Sequence, residues 1–256
     1  MRGEFQSIKR LIQEHYCQSF AEEIKMQALR FYIGWDSRED IAFQVARQSL
    51  KRHASIPVEV IPIKVNELVD KGLYNRKIDP LASTEFTYSR FLTPSLANFD
   101  GWAIFCDCDF LFFGDVQRLI AFQDPKYAVC CVKHDYSPKD SIKMDGQIQT
   151  NYPRKNWSSM MMFNCAHPSV KKLTIESVNS ETGAYLHRME WAKDSEIGPL
   201  PTEWNWLEGW NKKPKNGYPA CVHYTRGGPW FENWQNVDYA DEWREEAKAY
   251  KTSIIR

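Results

Sequence analysis

The chain has 256 residues, of which 43% are hydrophobic, enough to bury a sizeable core in one large α/β domain. Its 33 Lys and Arg balance its 33 Asp and Glu, so net charge selects neither nucleic acid nor an anionic membrane as partner. Seven cysteines without a C-x-x-C pair argue against a disulfide framework or a structural zinc site and for a reducing compartment.

The opening MRGEFQSIKRLIQEHYC is polar and lacks an apolar h-region, so no signal peptide is expected. The spacing of Ile8, Ile12, Tyr16, Phe20 and Ile24 predicts an amphipathic helix over 7–28. LRFYIGW, 29–35, reads as a strand. DSREDIAFQVARQSLKRH reads as a helix with Asp36 or Ser37 as its cap, and VEVIPI, 58–63, as a second strand. Strand, helix, strand makes a βαβ unit and predicts a mainly parallel sheet flanked by helices. A helix over 86–98 carries Tyr88, Arg90 and Phe91. WAIFCDCDFLFF reads as one strand buried on both faces. This run is the longest apolar stretch, and with Asp107 and Asp109 inside it is too short and too charged to span a bilayer. A cytoplasmic location is therefore expected. Then follow a helix DVQRLIAF, a strand at 127–132, a long polar loop over 134–157, a strand at 158–164 and a helix HPSVKKLTIESV. YPACVHY, 218–224, is the last predicted strand, and DYADEWREEAKAYK is a charged terminal helix.

Asp107-Cys108-Asp109 closes a buried apolar run. Ligands of open α/β sheets gather at the carboxyl ends of strands, and residues i and i+2 share a strand face. Two carboxylates there repel and are costly to bury unless a cation lies between them, and oxygen donors suit Mg²⁺ or Mn²⁺. Such a pair also caps strand ends and helices without any metal. The second feature is His223-Tyr-Thr-Arg-Gly-Gly-Pro-Trp230. It offers an imidazole, a fixed charge on Arg226, and Gly227 and Gly228, whose backbone can approach a phosphate. Trp204, Trp206, Trp210, Trp230 and Trp234 crowd the same segment. Most belong in a core, and one or two suit a sugar-binding groove.

Taken in order, Tyr88-Ser-Arg90-Phe-Leu, FDGWAIFCDCDFLFFGDV, DSEIGPLPTEWN and HYTRGGPW resemble the family 8 glycosyltransferases of the GT-A fold, the group of glycogenin and bacterial lipopolysaccharide galactosyltransferases. The likeness spans roughly 29–230. It implies an α/β GT-A-like domain over 29–256 behind the helix of 1–28. It also implies a retaining transfer of a hexose from a nucleotide sugar, such as UDP-glucose or UDP-galactose, with Mn²⁺ or Mg²⁺. By position, Asp107, Asp109 and His223 are the metal ligands. Arg90 lies beside the donor phosphates, and Asp194 contacts the donor sugar. Tyr32, Ile33 and Gly34 lead to the loop around the base, while Tyr88, Cys108, Arg226 and Gly228 border the donor. Two positions depart from the family pattern: Ser195 stands where the family has Gln, and Gly228 where it has Lys.

The implied partners are the nucleotide-sugar donor and a glycan, lipid-linked or protein acceptor, with no nucleic acid and no transmembrane segment. A homo-oligomer is compatible with the sequence. A sugar-phosphate nucleotidyltransferase should carry a Gly-rich basic loop after its first strand, where this chain reads GWDSRED. A catalytically inactive carbohydrate-binding relative should lack one of the paired aspartates, and both are here.

Overall fold

The computed structural model describes residues 28–77, 79, 82–135 and 153–254. The helix expected over 7–28 and most of the loop expected over 134–157 fall outside these. Strand β1 (Leu29–Gly34) is buried apart from half-buried Arg30. Asp36 caps a 3-10 turn at Ser37–Glu39, its side chain accepting from the Arg38 backbone N–H. Helix α1 (Asp40–His53) follows, burying Ala42, Phe43, Val45, Ala46 and Leu50 at helical spacing. Lys51, Arg52 and His53 lie in its last turn, where positive charge complements the helix dipole. β2 (Val58–Ile63) pairs in parallel with β1, Leu29 opposite Val58. This is the predicted βαβ unit. A short helix α2 (Val65–Asp70) comes next.

The run 102–113 is two strands in different sheets rather than one. β3 (Trp102–Cys106) ends before the aspartates, and β4 (Phe110–Phe112) begins after them. The Asp107 N–H donates to the Ser159 carbonyl at 2.9 Å, and the Asp109 carbonyl accepts from the Tyr224 N–H at 3.0 Å. Carboxylates cannot stay in a strand buried on both faces, and the chain changes sheets where they stand. The six-stranded sheet runs β2-β1-β3-β6-β5-β7, with β5 (Val129–Cys131), β6 (Met160–Asn164) and β7 (Ile197–Pro199). It is mainly parallel; β6 alone runs antiparallel to its neighbours β3 and β5. A second sheet, β4-β9-β8, joins β8 (Trp206–Leu207) and β9 (Cys221–His223) to β4.

Several predicted helices are shorter than their sequence periodicity suggests. Residues 86–98 form a 3-10 turn, Ser89–Leu92, then the single turn α3 (Thr93–Leu96). Asn98 and Phe99 stop it at positive φ. The segment after Asp115 is a 3-10 run, Val116–Phe122. HPSVKKLTIESV splits into a 3-10 turn, Val170–Lys172, and α4 (Ile175–Ser180), which Thr174 caps. α5 (Gly183–His187) follows. α6 (Ala240–Ser253) is the charged terminal helix.

A large apolar core lies around the six-stranded sheet, with Phe31, Phe91, Phe105, Phe163, Trp191 and Trp204 fully buried. A smaller one joins Leu111, Val222, Tyr224, Trp206, Tyr239 and Trp243 between the second sheet, α1 and α6. Six of the cysteines are described, all free and buried. Among the described residues, no helix is long and apolar enough to cross a membrane.

Candidate metal and donor site

Asp107 and Asp109 occupy the crossing between the two sheets. The alternation expected of i and i+2 survives there: ligand atoms of Asp107, Asp109 and His223 all lie within 4.8 Å of one another. Cys108 between them turns into the core and is buried. His223 ends β9 opposite Phe110 of β4. Its ring stacks on that phenyl, with centroids 4.6 Å apart and planes at 13°.

The imidazole is oriented from behind. His223 Nδ1 lies 2.9 Å from the Asn205 side-chain oxygen. The Asn205 amide nitrogen donates to Ser159 Oγ at 2.8 Å. This network assigns the proton to Nδ1, leaving the Nε2 lone pair facing Asp109 Oδ2 at 3.3 Å. A lone pair against a carboxylate oxygen is repulsive unless a proton or a cation joins them. Two carboxylates and one imidazole with its lone pair turned inward fit a divalent ion such as Mn²⁺.

Arg90 is buried beside this group. Its Nη1 donates to Asp107 Oδ1 at 2.7 Å and to the Ser158 carbonyl at 2.9 Å, and its Nε donates to the Thr87 carbonyl at 3.1 Å. The guanidinium packs between the Phe86 and Phe105 rings, about 5 Å from each centroid. The structure therefore brings Asp107, Asp109, His223 and Arg90 together.

The other candidates fall differently. Tyr32 and Ile33 are buried in β1. Their side chains belong to the core, so only main chain at Gly34 and beyond can border a ligand. Gly34 itself is required by packing, because an added Cβ would stand 2.4 Å from the Phe86 ring. Cys108 likewise offers only its backbone. Burial drives its thiol well above the ordinary range, with nearby acids adding to the effect. Tyr88 donates to Asp79 at 2.7 Å under the Arg76 guanidinium. Burial first, then Asp79, pushes its phenol up to about 12. Asp194 has a side chain 85% exposed and paired with Arg154. Arg226 is paired with Glu208 at 3.1 Å and lies over the Trp234 ring. Gly227, at φ 135°, and Gly228 leave room for the Trp234 and Trp230 rings, which added Cβ atoms would meet at 2.9 and 2.0 Å. Of the crowded tryptophans, Trp204 and Trp206 are core, while Trp210 is exposed.

Sequence reading missed four residues. Asn205 lies in TEWN without any motif of its own. Glu39 is buried, and its Oε2 lacks a hydrogen bond among the described residues. Burial, then Asp109 and Asp36, raise its carboxyl to about 8. His134 follows β5 beside Asn205 and His223, and its ring is lowered to about 4, chiefly by burial. His187 Nδ1 lies 2.9 Å from Ser158 Oγ, next to the carbonyl that holds Arg90. Burial and then the Arg90 charge lower it to about 3. A single His or Glu outside any motif gives no such signal.

No family model matches the chain. Among curated proteins it is 50% identical over 242 residues to Protein CDI of Arabidopsis thaliana, covering 93% of each. Among solved structures, the WbbM bifunctional glycosyltransferase superposes with a TM-score of 0.60 at 18% identity, over 88% of this chain and 50% of that one. GlyE of Streptococcus pneumoniae TIGR4 gives 0.58 at 13% identity, over 86% and 60%. The galactosyltransferase LgtC, solved with donor and acceptor sugar analogues, gives 0.53 at 13%, over 86% and 96%. The chain thus spans half of the WbbM chain and 60% of GlyE. At such identities the likeness speaks for the fold, a mainly parallel α/β architecture of the GT-A type. The chain belongs to the family of Arabidopsis Protein CDI, and its fold is that of the GT-A glycosyltransferases.

Proposed function

We propose that this protein is a retaining glycosyltransferase of the family 8 kind, moving a hexose from a UDP-sugar to an acceptor hydroxyl on a glycan, lipid or protein. The observation that carries the reading is the convergence of Asp107, Asp109 and His223 at the crossing between the sheets, with Arg90 behind them. Asp107, Asp109 and His223 would hold Mn²⁺ or Mg²⁺, which supplies charge neutralisation for a departing diphosphate.

The chain's own groups do the rest. Arg90 fixes Asp107 and adds positive charge where the leaving group develops negative charge. Asn205 keeps the proton on His223 Nδ1, so that Nε2 serves as ligand. Arg226 carries a second charge toward the diphosphate once it leaves Glu208, and Gly227 and Gly228 let its loop close. Asp194, exposed and paired with Arg154, exchanges that partner for sugar hydroxyls. Among the described residues no motif places a carboxylate as a nucleophile apart from the metal pair, and Glu39 is buried with its carboxyl raised to about 8. The acceptor hydroxyl therefore attacks on the face the diphosphate leaves, giving its proton to a departing oxygen.

Mass spectrometry of donor turnover over a panel of nucleotide sugars tests this, with proton NMR of the product's anomeric coupling. UDP release from UDP-glucose or UDP-galactose with Mn²⁺, none in chelator and an α-linked product are expected. Full turnover in chelator removes the metal assignment, and a β-linked product removes retention.

A further inference from the structure

A cleft lies at the far end of the small sheet. From Asp109 to Phe113 the chain advances four residues, roughly 13 Å at about 3.3 Å per residue. There, between β4, the turn before β9, the end of α1 and α6, a cavity of about 380 Å³ opens. Its size falls within the roughly 300–1,000 Å³ of small-molecule sites. Phe113 and Tyr218 line it, stacked with centroids 4.4 Å apart and planes at 15°. Tyr239 braces both rings. Tyr218 is nevertheless 55% exposed, a rigid aromatic slab left in water.

The polar lining carries both signs, Arg52 and Arg118 beside Glu242, Glu245 and Glu246. Arg52 pairs with Glu246, and Arg118 pairs with Glu203. The Glu242 carboxylate stands beside the Tyr218 hydroxyl. Glu246 is only 2% exposed, its carboxylate held by Arg52 and Gln48. An organic cation entering the cleft would meet Arg52 and Arg118, and an anion would meet Glu242, Glu245 and Glu246. Interleaved guanidinium donors and carboxylate acceptors around an aromatic face suit a neutral polyhydroxyl compound. Its ring C–H face would lie on Tyr218 while its hydroxyls bridge the acids and arginines.

We propose that this cleft is a saccharide-binding site, separate from the metal group and independent of it. Saturation-transfer NMR tests it on the full chain in chelator, so that no metal holds a ligand at Asp107 and Asp109. The probes are neutral gluco-, galacto-, manno- and xylo-oligosaccharides, with spermidine and inositol hexakisphosphate as charged controls. At least one neutral oligosaccharide should bind wild type and Asp109→Asn alike. Its affinity should fall tenfold or more in Tyr218→Ala and in Glu242→Gln, the second variant leaving the aromatic stack in place. The proposal is overturned by any of three results: no oligosaccharide binds; binding survives both cleft variants or is lost in Asp109→Asn; or only a charged control shows the dependence on Tyr218. None of these results bears on metal-dependent donor turnover, so the two readings fail separately.

Discussion

The six-stranded sheet and the three-stranded sheet are built on different terms. The first has two six-residue strands at its βαβ edge and a core of large apolar side chains on its faces. The second consists of strands of two or three residues, held largely by packing of Leu111, Val222 and Trp206 against α1 and α6. The metal group takes half of itself from each. Asp107, with Arg90 and the Ser158 carbonyl, hangs from the rim of the large sheet; Asp109 and His223 belong to the small one. The site is therefore an alignment between two bodies, and its parts should respond differently to the same kind of change.

The largest effect separates the two aspartates. Asp107→Asn and Asp109→Asn should each remove most donor turnover. Only Asp107→Asn should also destabilise the fold, because it strips the counter-charge from buried Arg90. Losing one partner of a buried pair costs roughly 3–5 kcal/mol. The retained amide oxygen and the two carbonyls on Arg90 should reduce this to about 2–3 kcal/mol. Asp109 instead faces the buried Glu39 carboxyl, so its neutralisation should leave stability unchanged or slightly raised. Thermal unfolding in chelator reads both. Equal melting temperatures would mean that the large-sheet half does not depend on its ion pair.

Asn205 ties the halves together, touching His223 on one side and Ser159 on the other. Asn205→Leu should weaken Mn²⁺ binding about 10–100-fold, as loss of an orienting partner does elsewhere, with the secondary structure retained. Titration of Mn²⁺ by electron paramagnetic resonance measures it. Unaltered affinity would show that β9 alone orients the imidazole.

The βαβ edge was legible because periodicity has room to appear there: Ala42, Phe43, Ala46 and Leu50 repeat over a full helix, and VEVIPI is a β-branched run set off by Ser55 and Pro57. The small sheet was not, since two or three residues carry no period. Its existence follows from where Asp107 and Asp109 interrupt an apolar run whose continuity predicts a single strand. Asp107, Asp109, His223 and Arg90 were found because they sit in ordered motifs. Asn205, Glu39, His134 and His187 gain their importance only from burial and neighbours. Conversely, Tyr32, Ile33 and Cys108 matched a motif but point their side chains into the core.

A smaller effect concerns the loop after β9. Glu208 pairs with Arg226 at 3.1 Å. Glu208→Gln should loosen residues 225–231 and speed tryptic cleavage after Arg226 severalfold, while UDP with Mn²⁺ should protect both proteins. Cleavage equal to wild type in the free state would mean that stacking on Trp234, rather than the ion pair, holds the loop.

The smallest effect at neutral pH lies on the large-sheet side and emerges only in acid. His187 supports the segment whose Ser158 carbonyl holds Arg90. Burial, then the Arg90 charge, depress its imidazole from 6.5 to about 3. With a depressed pKa, the unfolded chain binds a proton that the folded chain refuses. Stability is thus complete above the unfolded value near 6.5 and falls as pH drops toward 3. At about 1.4 kcal/mol per pH unit, on the order of 2 kcal/mol should be lost between neutrality and pH 5. His134, lowered to about 4 by burial and by His223, adds a loss of the same sign from beside Asn205. Urea unfolding of wild type and His187→Gln at both pH values isolates the first contribution. The variant should be weaker at pH 7, having lost a fitted ring, yet lose less on acidification. An unchanged pH slope would mean that His187 protonates in the folded state without disturbing Arg90. The large-sheet half of the site would then be the more tolerant of the two.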